Sequence, residues 1–359
     1  MKKVIITLAA LAYGAALIYY SDAVLKAAAE SVQVCLVTII PSLYAFMVLS
    51  GFIISTGIYK YISRPFGAAA RYIFRIPADF FSVFLLSCAA GYPVGAKLTA
   101  DLYASGRTDK ATAERMLGFC YMGGPAFFCG VAGGRIYSST RVGIYIFICI
   151  LISNIITGFI LSLGHKIPTK TSADSAPPHI SLAKLTDSIT SGGAAILKIC
   201  GAIVFFSSLT AILEASGLIM YPAAALSRIS GVSRSDCLCI IKAILEISNI
   251  GGLSPDISLL PIVTALLSFG GLCVIFQTEG ILCNTLSTNI FHLNRIISIF
   301  LSYICCKIFI NVILKDNVIQ TNLTYRVGYR QISPIPSVFL LIMTILLLSN
   351  NYIVKSKKV

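Results

Sequence analysis

Apolar residues in this chain run in long blocks, not in strand-like alternation. Val4–Tyr20 follows Met1-Lys2-Lys3, and Val32–Ile58 forms a second block, broken near its middle by Pro41. Val142–Leu163, Gly192–Leu213, Ser258–Thr278, Asn289–Leu314 and Pro336–Ser349 are further spans, and Met116–Gly134 is interrupted by Gly123-Gly124-Pro125. A spanning helix needs roughly 20 apolar residues. Two blocks fall short. Phe80–Ala90 runs into Gly91-Tyr92-Pro93-Val94-Gly95-Ala96-Lys97, and Cys237–Ile250 ends at Gly251-Gly252. At ~1.5 Å per residue neither crosses a core of ~30 Å, so the pattern predicts two re-entrant hairpins. Thr99–Arg115 is polar and reads as an amphipathic returning arm, and Ser216–Asp236 reads as a loop.

The order of parts occurs twice: long helix, loop, short Gly-ended segment, Gly-interrupted helix, long helix. Sliding Val32–Ile58 onto Gly192–Leu218 lays Ile39, Phe46, Leu49 and Gly57 on Ile199, Phe206, Leu209 and Gly217. Alignment of apolar helices by composition is the competing explanation. The chain divides into an N-terminal helix (1–31), a first repeat (32–164), a linker (165–190), a second repeat (191–315), and a loop with a last helix (316–359). The fold class is therefore an all-α polytopic membrane protein with two inverted repeats carrying re-entrant or broken helices.

Composition agrees. Hydrophobic types make up 57% and charged types 12%, which excludes a disordered chain and an ordinary soluble enzyme. The formal net charge of +14 would suggest nucleic acid in a soluble protein. Here the basic residues sit in short loops, so they report topology and nucleic acid is not expected. Lys60, Arg64, Arg71 and Arg75 mark a cytoplasmic loop. With Lys2 and Lys3 inside and both short segments re-entrant, about eight crossings place the linker lysines and the C-terminal lysines inside as well. The second repeat then enters from the opposite face. The Val4–Tyr20 block is either a retained helix or a signal peptide. No small-x-small cleavage pattern follows it, which favours the helix. Most of the 12 cysteines lie in apolar stretches and read as buried thiols. No CxxC is present and the three histidines are dispersed, so neither metal nor cofactor is expected.

Candidate chemistry concentrates at the breaks, where backbone groups lose partners and must face protein or water. Gly91, Pro93 and Gly95 with Lys97 read either as an anion-coordinating tip or as a tight turn with a snorkelling lysine. Gly123, Gly124 and Pro125, and Gly270 with Gly271 near Gln277, are further breaks or close-packing sites. Lys242 and Glu246 share a helix face and either neutralise each other, or Glu246 with Asn249 holds a coupling proton or cation. Lys198 and Glu214 read as interfacial anchors, and Glu279 and Asn284 border the pathway. No hydrolase triad, HExxH, P-loop or dinucleotide fingerprint occurs, so no enzyme activity is expected.

At these residues the sequence resembles the YlbJ family of sporulation integral membrane proteins, with the nucleoside-recognition or Gate domain. The carrying blocks are Pro41-Ser42-Leu43 with Phe46–Ser50, Gly91–Lys97, Ala113–Leu117 with Gly124–Phe127, Leu245–Asn249, and Phe269–Gln277. The chain departs from the family pattern at Tyr121-Met122-Gly123 and at Ile275-Phe276. The resemblance implies a role in endospore formation in the mother-cell membrane around the forespore. It also implies movement of dipicolinate, a small aromatic dianion, and hence a part in spore cortex maturation. The expected function is a permease for a small organic anion, embedded in the lipid bilayer, with dipicolinate as the implied substrate and a coupling ion as a candidate second partner. The alternatives are a non-transporting scaffold of spore-envelope assembly and a nucleoside-type transporter. Oligomeric state is not legible in the sequence.

Overall fold

The computed structural model describes residues 2–167 and 179–315. The predicted helix Pro336–Ser349, its preceding loop and the centre of the linker lie outside the described residues. Within them every element is helical and no strand occurs. Five helical stretches are long and apolar enough to cross a membrane: Ser21–Thr56, Thr140–Ser162, Leu182–Ala215, Ile257–Leu282 and Asn289–Ile310.

Helix α1 (Lys2–Tyr19) is followed by α2 (Ser21–Val34), which passes through a π-helical turn, Cys35–Ile39, into α3 (Ile40–Thr56). Pro41 supplies no N–H and its ring crowds the preceding turn. The wider π turn absorbs that fault without ending the helix. The first span therefore starts at Ser21, and the expected boundary at residue 32 falls inside it. Short helices α4 (Tyr59–Ser63) and α5 (Gly67–Tyr72) carry the basic loop. Then come α6 (Phe81–Ala90), α7 (Val94–Ala104), α8 (Lys110–Phe119), and α9 (Pro125–Phe127), which widens into a π-helical stretch, Phe128–Ile136. Pro125 sits in the first turn of α9, where a missing N–H costs nothing. The polar returning arm is thus two helices, split at Ser105–Asp109. Helix α10 (Thr140–Ser162) closes the first half.

The second half repeats the order: α11 (Leu182–Ala215), α12 (Met220–Ser230), α13 (Arg234–Leu245) with a 3-10 extension Ile247–Gly252, α14 (Leu260–Phe269), α15 (Gly271–Leu282) and α16 (Asn289–Lys315). The stretch 216–236, expected as a loop, contains α12. Helix α11 begins nine residues before the expected repeat boundary at 191, at Leu182.

Long helices of the two halves pair with each other. Helices α2 and α3 run along α11, and α10 runs along α16. The broken helices lie between these pairs. The α14–α15 stretch is the most enclosed, with 72% of its apolar window buried against 11–39% for the other four. Phe74, Phe81, Phe84 and Phe119 form one aromatic cluster, with ring centroids 4.7–5.6 Å apart along the chain of contacts Phe119–Phe74–Phe84–Phe81. Small residues permit the close approach of helices that bilayer packing requires: any side chain at Gly158 would enter the Phe74 ring, and one at Gly143 would lie 2.5 Å from the Cys129 Cα.

Candidate functional site

The helix breaks of each half interlock. A Cβ at Gly91, which ends α6 at φ +88°, would lie 2.7 Å from the Gly124 nitrogen, and one at Gly95 would strike the Cys120 carbonyl. The α6–α7 break is thus seated on the α8–α9 break. Gly123 lies under the Phe128 ring, with Tyr92 beside it. In the second half, a Cβ at Gly271 would lie 3.1 Å from both the Ala243 carbonyl and the Ile247 nitrogen, so the α14–α15 break is seated on the end of α13. Gly270 and Gly271 take φ of +84° and +81°, which only glycine adopts without strain.

The two interlocks meet through Tyr121 and Arg295. Tyr121 stacks on Tyr92 at 5.2 Å, and its hydroxyl donates to the Phe269 carbonyl at 3.4 Å. Arg295 of α16 is 2% exposed. Its guanidinium lies 4.3 Å from the Tyr121 ring centroid and donates to the carbonyls of Gly118 (2.7 Å), Ser268 (3.2 Å) and Tyr121 (3.3 Å). Gly118 and Tyr121 lie at the end of α8 and Ser268 at the end of α14. These are the carbonyls a helix C-terminus leaves without partners, and they carry its partial negative charge. Asn294 donates to Gly118 and Asn154 of α10 to Tyr121 at 3.1 Å. One cation therefore caps a broken helix of each half. No carboxylate lies within ion-pair distance of it among the described residues.

Glu246 is the acidic counterpart, 6% exposed. It caps the 3-10 turn, accepting from the Ser248 N–H at 3.1 Å and from the Ser248 hydroxyl. Asn249 donates to the Glu246 carbonyl at 3.0 Å and reaches its carboxylate at 3.5 Å. Among the described residues no cation pairs with Glu246. Lys242 turns away to Glu214 at 2.7 Å, so the expected Lys242–Glu246 neutralisation is replaced by a pair between α13 and α11. Tyr92, stacked on Tyr121, has a buried hydroxyl with no hydrogen-bond partner among the described residues. A guanidinium and a phenol thus flank Tyr121 at the first-half breaks, while Glu246 stands at the end of α13, on which the α14–α15 break is seated.

Other expected site residues are placed differently. Lys97 is buried at 5% exposure, but it is ion-paired with Asp101 at 2.7 Å and faces Gly51 of α3, away from the break that Gly91, Pro93 and Gly95 form. That tip abuts backbone of residues 120–124 and is closed to an anion in this conformation. Gln277 is buried on α15, donating to the Cys273 sulfur at 3.2 Å. Lys198 caps Gly280 at 2.9 Å, and Glu279 meets His292 at 2.9 Å. The expectations missed Arg295, Tyr121 and Asn154. The signal for Arg295 was present: an arginine beside Asn294 inside an apolar helix is a functional candidate by default.

No family model and no solved structure matches the chain. It is similar to the sporulation integral membrane protein YlbJ of Bacillus subtilis (strain 168), with 28% identity over 276 residues, covering 69% of this chain and 67% of that protein. This similarity supports assignment to the YlbJ family, and with the apolar helices it supports an integral membrane protein of sporulation.

Proposed function

We propose, from the assignment to the YlbJ family, that the chain is a membrane permease for a small organic anion, with dipicolinate as the substrate to test first. The mother-cell membrane around the forespore is the location that reading implies. The observation that carries it is Arg295, a buried guanidinium held only by backbone carbonyls and aromatic faces at the meeting point of broken helices. A planar aromatic dicarboxylate suits that chemistry. Its carboxylate offers the bidentate acceptor a guanidinium prefers, and its ring matches the Tyr92–Tyr121 stack. Glu246, buried without a cation, supplies a group whose charge can change during a cycle, as a coupling proton requires. The two interlocks follow the same element order in each half and would provide two bodies that move against each other in a cycle.

Purified protein in liposomes tests this reading. Labelled dipicolinate should accumulate with the intact chain. Arg295→Gln and Glu246→Gln should each lower uptake by at least about tenfold, the loss expected on removing a charge-assisted contact, while the protein stays inserted. An intact chain that moves no labelled dianion, with its insertion verified, defeats the permease and leaves the scaffold alternative.

A further inference from the structure

Away from the breaks, the basic loop and the end of α10 form a cleft of about 460 Å³ lined by Arg71, Tyr72, Arg75, His165, Lys166 and Ile167. None of these lining residues is acidic. The cleft has fixed walls. Arg75 adopts φ +46°, and its carbonyl is held by Arg115 at 2.9 Å. The neighbouring Phe74 carbonyl accepts from Arg115 at 3.2 Å and from Ser162 at 2.6 Å. These bonds tie residues 74–75 to α8 and α10. The Arg75 guanidinium then reaches across to the His165 carbonyl at 3.2 Å, and its remaining N–H groups have no partner among the described residues. Tyr72 stands 80% exposed at the rim. Below the cleft, the outer face of α10 presents exposed Ile144, Ile148, Phe159, Ile160 and Leu163.

We propose that this cleft binds the headgroup of an anionic phospholipid, with the acyl chains lying along the apolar face of α10. A phosphate diester meets several cationic donors at the level where Tyr72 marks the membrane–water boundary, and the apolar stripe continues into the hydrocarbon. A soluble phosphate would use the cations but leave the stripe without an occupant, so the lipid is the ligand that uses both halves of the surface. The site is independent of the transport reading. It fixes the basic loop to the leaflet and so sets a reference for movement of the broken helices.

The full chain, exchanged into mixed micelles, tests this by native mass spectrometry of retained phosphatidylglycerol against phosphatidylcholine. The intact protein should retain phosphatidylglycerol preferentially. The exposed double variant Arg71→Gln/Lys166→Gln should lower that preference by roughly thirtyfold, while Arg228→Gln, an exposed arginine on α12, should not change it. Equal retention of the two lipids, an unchanged preference in the double variant, or an equal loss in Arg228→Gln would overturn the proposal. Displacement of the lipid by millimolar inorganic phosphate would likewise overturn it in favour of a soluble-anion site.

Discussion

Arg295 shows what a single buried charge does when no acid accompanies it. Three backbone carbonyls and two aromatic faces replace the water it has lost. Replacing it with methionine leaves the Gly118 and Tyr121 carbonyls to Asn294 and Asn154 and takes from Ser268 its side-chain donor, at a cost of about 1–3 kcal/mol for a group left unsatisfied. Arg295→Met should therefore lower stability by about 1–3 kcal/mol in detergent unfolding. Arg295→Lys should recover part of the loss, because an ammonium keeps the charge but not the planar fork. Asp236 is a second residue with a clear physical role. Its carboxylate accepts from Ser233 at 2.6 Å and from Ser254 at 2.8 and 2.9 Å, tying the start of α13 to the turn before α14. Burial pushes its pKa up, but these hydrogen bonds outweigh it and leave it below the usual carboxylate value. A depressed folded pKa gives stability that is present above the unfolded value and is lost as pH falls through the folded one. Asp236→Asn should thus destabilise at neutral pH, by roughly 1 kcal/mol, and the difference should vanish in strong acid.

Among the elements, the interlocked breaks are the features most sensitive to added volume. Gly95→Ala would push a methyl group into the Cys120 carbonyl and should cost about 3 kcal/mol, whereas Gly193→Ala on α11, with open space around it, should be neutral or slightly stabilising. Thermal unfolding of the two variants side by side measures the contrast. The breaks at Gly91–Gly95, Gly123–Pro125 and Gly270–Gly271 were legible in the sequence, because glycine and proline interrupt a helix for local reasons that need no tertiary information, whereas the split at Ser105–Asp109 was not. The long helices were legible for the same kind of reason. Their ends were not: α2 extends back to Ser21 through a region with Asp22, Lys26 and Glu30, and α11 begins among polar residues. Helix α12 was missed because its Arg228 and its Pro222 resemble a loop until α13 is seen packing against it. Arg295 was hidden by averaging, since its neighbours kept the window apolar. The partner of Lys97 was missed for a different reason. Asp101 sits one turn further along α7, so the ion pair belongs to the helix that follows the glycine tip and not to the tip itself.

For the whole molecule, two turns report on the face from which each broken segment enters: Ser105–Asp109, between α7 and α8, and Leu253–Asp256, before α14. In a background with the exposed Cys283 changed to serine, Ser105→Cys and Pro255→Cys should react with a membrane-impermeant maleimide from opposite sides. Labelling of both from the same side would contradict the inverted arrangement. Because long helices pair across the halves, any motion must slide α3 against α11 or α10 against α16, and the liposome assay reads whether such motion carries cargo.

The guanidinium that joins the end of α8 to the end of α14 also works as a latch. On the permease reading, prising those ends apart in an empty protein would strip donors from acceptors with nothing to take their place, so the unloaded form would stay shut. A visiting carboxylate would change the exchange, since it would offer the arginine a replacement at the moment it lets go. If the chain is a carrier, its cargo is the key, and leakage without cargo is suppressed by the same residue that admits it.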